Sequence, residues 1–178
     1  EKMKEYSDSL IQQIDTMSSI ASAFATYAQM PAQQDETLNV IKITKLALDI
    51  FNEGYIYFTS EKNEVIIKFD RTQLMRVITN LVKNSIQAIH ENHLEEPKIE
   101  VRVYQDEFFA IISVMDNGTG ITDENKAMVF EPKFTTKTSG MGLGLAMVKK
   151  IVETYGGEIS FKTIKGEGTT FIVKLPLK

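Results

Sequence analysis

Residues 70–90, DRTQLMRVITNLVKNSIQAIH, decide the architecture. Leu74, Val77, Ile78, Leu81, Val82, Ser85 and Ile89 recur at steps of three and four, which puts them on the inner face of one α-helix over 71–90. Asp70 stands immediately before the first turn, where a short carboxylate accepts a free backbone N–H, so the spacing predicts an N-cap. Asn80 and Asn84 lie four residues apart on this helix and stack two amides on one face. Amide oxygens are hard ligands suited to a Mg²⁺ ion that keeps most of its waters and bridges substrate phosphates. Two asparagines on a wet helix face have the same spacing, so the pair by itself leaves both readings open.

Toward the C-terminus the periodicity changes to strands. Residues 98–104 and 108–115 read as paired strands across 105–107, and the second ends abruptly in Asp116-Asn-Gly-Thr-Gly120. A carboxylate at a strand end, followed by glycines that let the backbone fold tightly, can accept a hydrogen bond from the exocyclic amine of adenine. An ordinary Asp-Asn-Gly turn reads the same way. The segment 121–141 has little periodicity and holds Pro132 with a Thr/Lys/Ser/Gly cluster, as expected of a long functional connection. A helix follows over 143–155, closed by Gly156-Gly157, and then a hairpin of 158–164 with 169–175.

Toward the N-terminus, 55–59 and 65–69 are two short β-rich runs around a polar 60–64 and read as a hairpin, preceded by a helix over 44–52. Met3, Tyr6, Leu10, Ile14, Met17, Ala21, Phe24 and Tyr27 form one helical stripe over 3–27, and Pro31 with the polar run 32–36 breaks it. The expected organisation is a long helix in 1–31, a linker in 32–37 and one globular domain in 38–178.

The chain has 178 residues, 43% of them hydrophobic, which is enough for one sizeable core. Its formal charge of −4 and scattered lysines and arginines argue against nucleic acid as a ligand. Without cysteine there is neither a disulfide framework nor a thiolate metal site. No apolar run approaches the ~20 residues that span a bilayer, so this part of the chain is expected to be cytoplasmic, with no direct membrane contact. His90 and His93 suggest a metal pair by spacing, but with no third ligand in view they read as surface histidines.

Gly140-x-Gly142-x-Gly144 precedes the last helix, so free backbone amides and the positive helix end can hold phosphates. The spacing is neither the Rossmann fingerprint nor a P-loop, which needs Gly-Lys-Ser/Thr. No His-Arg-Asp or Asp-Phe-Gly element accompanies it, as a protein-kinase loop would require.

Taken in order, Asn80-Leu-Val-Lys-Asn84, Asp116-Asn-Gly-Thr-Gly120, Phe130-Glu-Pro-Lys-Phe134 and Gly140-Met-Gly-Leu-Gly144 resemble the N, G1, F and G2 boxes of sensor histidine kinases. Gly168-Thr169 is similar to the terminal Gly-Thr motif of the wider family shared with gyrase, mismatch-repair and heat-shock-chaperone ATPases. The resemblance covers 38–177 and implies a two-layer α/β sandwich of mixed sheet with helices on one face. It implies ATP between the asparagine helix and a glycine-rich lid. Asn84 would hold Mg²⁺ with Asn80 in support, Asp116 would read adenine, and Thr169 would order a water beside it. Gly118 and Gly120 would shape the adenine pocket, while Gly140, Gly142 and Gly144 would meet the phosphates through backbone amides. Phe130 and Phe134 would anchor the lid. Lys137 is a phosphate contact or a solvated lid charge. Asn84-Ser-Ile-Gln-Ala-Ile89 resembles the nitrogen-regulation group, and Lys133, where many relatives carry an apolar residue, implies looser lid packing.

The resemblance further implies a protein-histidine kinase that transfers the γ-phosphoryl of ATP to a histidine on a dimerisation helix, for relay to a response regulator receiver domain. Hydrolytic members of the wider family place an acidic general base where this chain has Asn80, so transfer is expected over hydrolysis. The helix over 3–27 resembles the second helix of the dimerisation hairpin. Its His-bearing first helix is absent, so this fragment would not autophosphorylate alone. In the full-length protein the acceptor would lie on the same or the partner subunit of a homodimer, with a membrane anchor elsewhere. The alternatives are an ATP-gated conformational module and a nucleotide-binding scaffold without phosphotransfer. Asn80 and the short length argue against the first, and the full motif set against the second.

Overall fold

The computed structural model describes residues 33–132 and 142–177, with positions 6, 9–14, 17, 18, 21 and 25 of the N-terminal segment. Those N-terminal positions are helical, and Tyr6, Leu10, Ile14, Met17 and Ala21 of the expected stripe are exposed. Met3, Phe24, Tyr27 and Pro31 lie outside the described residues.

Five strands form the main sheet in the order β2-β4-β5-β7-β6, with ranges β2 Ile56–Ser60, β4 Ile99–Gln105, β5 Phe109–Asp116, β6 Glu158–Ile164 and β7 Gly168–Pro176. β2 runs parallel to β4 and the remaining pairs are antiparallel, so the sheet is mixed. Its inward positions alternate with outward ones. Val101, Val103, Ala110, Ile112, Val114 and Val173 have no exposed surface and meet the helices. Those helices are α1 Val40–Leu48, α2 Arg71–Asn92 and α4 Gly144–Thr154, while α3 Asp123–Lys126 is a single exposed turn. All three long helices give buried residues to one core, so the molecule is a two-layer sandwich with helices on one face.

α2 follows the sequence reading closely. Its seven stripe residues are buried, and the Asp70 carboxylate accepts the Gln73 N–H at 3.0 Å. The helix ends at His93, whose φ of 47° is left-handed and stops the α-helical hydrogen bonding.

The N-terminal third of the domain differs from the sequence reading. The runs over 55–59 and 65–69 do not pair with each other: β2 joins the main sheet beside β4. β3 Ile66–Asp70 pairs antiparallel with β1 Asp35–Asn39 in a separate two-stranded sheet. Two short β-rich runs around a polar turn look alike locally whether they form a hairpin or separate. The partners that decide lie far away, at Leu38 opposite Ile67 and Val101 opposite Phe58. Asp35, Glu36 and Thr37 are consequently strand rather than open linker. The first helix also begins at Val40, not Thr44, because Asn39 caps it: its side-chain oxygen accepts the Ile41 N–H at 3.0 Å.

Candidate functional site

α2 touches both the C-terminal end of β5, through Ser85 and Asp116, and the first turn of α4, through Asn80 and Gly144. On α2, Asn80 donates its side-chain N–H to the Arg76 carbonyl at 2.8 Å, and Asn84 donates to the Asn80 carbonyl at 2.9 Å. Both NH₂ groups are thereby tied down the helix, and both Oδ1 atoms remain as acceptors on the half-buried face. α4 starts directly against them. A Cβ on Gly144 would lie 2.8 Å from Asn80 Oδ1 and 3.9 Å from Asn84 Nδ2, so a side chain here would have to displace the Asn80 amide. Leu143 contributes no side-chain cap, so among the described residues no side chain caps the first-turn amides of this 11-residue helix, which starts beside the Asn80 amide.

Asp116 is the last residue of β5 and is 4% exposed. Its Oδ1 accepts the N–H of Gly118 at 3.0 Å and of Thr169 at 3.2 Å, and its Oδ2 accepts the Ser85 hydroxyl at 2.9 Å. Burial pushes the carboxyl up from its ordinary range, while the Gly118 N–H, the Ser85 hydroxyl and the Thr169 N–H pull it back. The turn beyond it is held from two sides. Thr119 N–H reaches the Ala88 carbonyl of α2 at 3.2 Å, and Gly166 N–H of the last hairpin reaches the Thr119 carbonyl at 2.8 Å. Gly118 has no room for a side chain, since a Cβ would stand 2.6 Å from the Ala88 carbonyl carbon. Gly120, at φ 65°, runs against the Ile164 carbonyl oxygen.

Thr169 is brought to Asp116 by the β5–β7 register, which places the two opposite each other. Its hydroxyl meets Thr163 at 2.9 Å, and Thr163 in turn receives the Ile121 N–H at 2.9 Å. Phe130 packs edge-on against Phe161 and Phe171, with ring centroids 5.8 and 6.4 Å away. Of the remaining expected positions, Gly142 is exposed at φ 65°, and Lys133, Phe134, Lys137 and Gly140 lie outside the described residues. Asn80 and Asn84 are thus brought beside Gly144, and Asp116, Gly118 and Thr169 are joined through hydrogen bonds, with Ser85 of α2 next to Asn84 as the link between the two groups. His90 and His93 are exposed, with the His90 ring 3.5 Å from the Tyr55 hydroxyl. Among the described residues no cluster of three or more His, Asp or Glu could hold a metal.

Sequence reasoning did not single out Ser85, Thr163 or the Phe161–Phe171 platform. Ser85 had a signal: it is the one polar residue in the buried α2 stripe. The others are ordinary strand residues whose roles come from register alone.

The model of the histidine kinase-, DNA gyrase B- and HSP90-like ATPases matches residues 69–178. The nitrogen regulation protein NtrY of Azorhizobium caulinodans is 31% identical over 96% of this chain and 23% of its own length. The catalytic domain of histidine kinase ThkA superposes with a TM-score of 0.70 at 30% identity, covering 81% of this chain and 96% of that one. ThkA in complex with the response regulator protein TrrA gives 0.77 at 25% identity, over 100% of this chain and 52% of that one. The chain spans less than a third of the length of the first curated relatives it matches, 30% for two NtrY-like sensor kinases of Rickettsia.

Proposed function

The chain belongs to the histidine kinase-, DNA gyrase B- and HSP90-like ATPase family, as a sensor-kinase catalytic domain, and from that premise we propose that it holds Mg-ATP for transfer of the γ-phosphoryl to a histidine. The observation that supports this most is the pair of tied-back asparagine amides facing the uncapped first turn of α4. That arrangement offers oxygen ligands and backbone N–H donors, and no carboxylate, where the polyphosphate would lie.

The donor set fits a hard divalent cation. Asn84 Oδ1 would hold the ion and Asn80 Oδ1 its water shell, in keeping with a Mg²⁺ that retains most of its waters. When bound, the cation supplies charge neutralisation of the β- and γ-phosphate oxygens. Asp116 accepts from the adenine amine, with Thr169 positioned to order a water beside it. Gly118 and Gly120 shape the base pocket, and Gly142 and Gly144, with Gly140, offer backbone amides to the phosphates. Phe130 anchors the start of the lid, and Lys137 is its candidate phosphate cation.

Asn80 cannot remove a proton from water, so the site positions the γ-phosphorus for attack by an external nucleophile. A histidine ring nitrogen forms the new N–P bond, the bond from the γ-phosphorus to the bridging oxygen breaks, and ADP leaves with that oxygen. The acceptor would sit on a hairpin to which residues 1–31 contribute one helix, with 38–178 as the catalytic unit. A receiver domain would then take the phosphoryl group, and the complete protein would act as a homodimer. Among the described residues no helix is long and apolar enough to cross a membrane.

The test is incubation with γ-labelled ATP and Mg²⁺, with and without an added helical hairpin carrying an acceptor histidine. Acid-labile, alkali-stable label should appear on the hairpin and not on His90 or His93. Steady release of inorganic phosphate at the same rate with or without the hairpin would contradict transfer.

A further inference from the structure

An ionised carboxylate has about four acceptor positions. At Asp116 the described residues fill three of them: Gly118 N–H and Thr169 N–H on Oδ1, and the Ser85 hydroxyl on Oδ2. One position remains, on Oδ2. Ser85 is fully buried and follows Asn84 directly, so the next step round α2 turns it from the asparagine face toward the sheet, where β5 ends. Two backbone donors on Oδ1 alone would leave Oδ2 with two open positions, free to take a water as well as a ligand. The serine hydroxyl closes one, and since a carboxylate only accepts, its proton is committed to that bond.

We propose that Ser85 is a positioning residue that makes Asp116 a reader of one N–H, and so sets the selectivity of the pocket for a 6-aminopurine over a 6-oxopurine. This rests on the reading that Asp116 faces the base. The 6-amino group places a hydrogen on the remaining Oδ2 position. A 6-oxo group places a second acceptor there, which repels the carboxylate and leaves it unpaired in a buried site. Ser85 acts twice. It fixes the direction of the open lone pair, and it offsets the burial that favours the protonated acid. Were Oδ2 protonated, it would present a donor to a donor. The groups facing Asp116 are the Ser85 hydroxyl from α2, the Gly118 N–H from its own turn and the Thr169 N–H from β7. Thr163 of β6 stands behind Thr169, and among the described residues no charged side chain is a cause of its shift.

The experiment is calorimetric titration of the 178-residue chain with non-hydrolysable ATP and GTP analogues and Mg²⁺, from mildly acidic to mildly alkaline pH. Ser85→Ala should bind the ATP analogue about tenfold more weakly at neutral pH, the loss expected for a hydrogen bond to a charged group. GTP-analogue binding should change less, and the acidic fall in ATP-analogue affinity should begin at a higher pH than in the parent. Ser85→Cys, with a weaker donor of similar size, should fall between; it carries the test if the alanine variant does not melt cooperatively. Asp116→Asn serves as the control for base reading. If Ser85→Ala keeps parental affinity, selectivity and acid limb while Asp116→Asn loses selectivity, Ser85 is a filler and the proposal is overturned alone. If Asp116→Asn also keeps selectivity, the base-reading role of Asp116 fails and the proposal with it.

Discussion

Gly118 shows how closely a single residue sets the packing of the turn after β5 on α2. A methyl group there would meet the carbonyl carbon, Cβ and carbonyl oxygen of Ala88 at 2.6, 2.7 and 2.8 Å, two of them backbone atoms that cannot rotate away. Gly118→Ala should therefore push the turn off α2 and strain the Gly118 N–H bond to Asp116. A destabilisation of about 1–3 kcal/mol is expected from overpacking, read as a lowered urea midpoint together with weakened nucleotide binding. At this scale the sequence was informative wherever chemistry shows in the residue type. Asn80, Asn84 and Asp116 are polar groups at element positions that ask for an explanation, and Gly118 and Gly120 sit where a side chain would meet backbone. Ser85 and Thr163 were harder to read. Their importance lies in which oxygen they face, and that depends on the rotation of α2 and the register of β6 on β7.

At the scale of elements, α4 links the two ends of the helical layer. It starts at Gly144 against Asn80 and ends beside Tyr155, whose ring stacks on Phe69 at 3.7 Å between centroids. The Tyr155 hydroxyl donates to Asp35 of β1 at 2.9 Å and accepts the Asp70 N–H at 3.2 Å. Gln73 occupies the position from which a capping box would serve that same N–H, yet among the described residues its buried Oε1 has no partner. Tyr155→Phe should thus be mild, at about 0.5–1.5 kcal/mol by urea unfolding, because the stack remains and Gln73 Oε1 is available to Asp70. Burial, and then the hydrogen bond to Asp35, push the phenol up to about 12 from the ordinary 10.0. Its folded value is the higher, so the associated stability is present below pH 10.0 and is lost as pH rises through about 12. The alkaline fall in stability should be shallower in Tyr155→Phe than in the parent; equal slopes would contradict the raised ionisation of the Tyr155 phenol in the fold. The existence and type of the long elements followed from periodicity, since α2, β4, β5 and the final hairpin are local patterns. The assignment of β2 and β3 to different sheets did not, because their partners lie on distant strands.

The whole molecule is a mixed sheet that carries Asp116 and Thr169 on neighbouring strands, roofed by helices that carry the asparagines and the last lid glycine. On the proposed reading, base recognition and phosphate recognition are built on different layers, and α2 is the piece common to both, through Ser85 inward and Asn80 and Asn84 outward. The measurement that tests this account most directly is calorimetric titration of the parent chain and Asn84→Ala with a non-hydrolysable ATP analogue, with and without Mg²⁺. Mg²⁺ should tighten binding to the parent, and Asn84→Ala should lose that gain while keeping its metal-free affinity within about threefold, as removal of a half-buried amide tied only to its own helix should. Equal losses with and without Mg²⁺, or no binding to the parent chain, would contradict it.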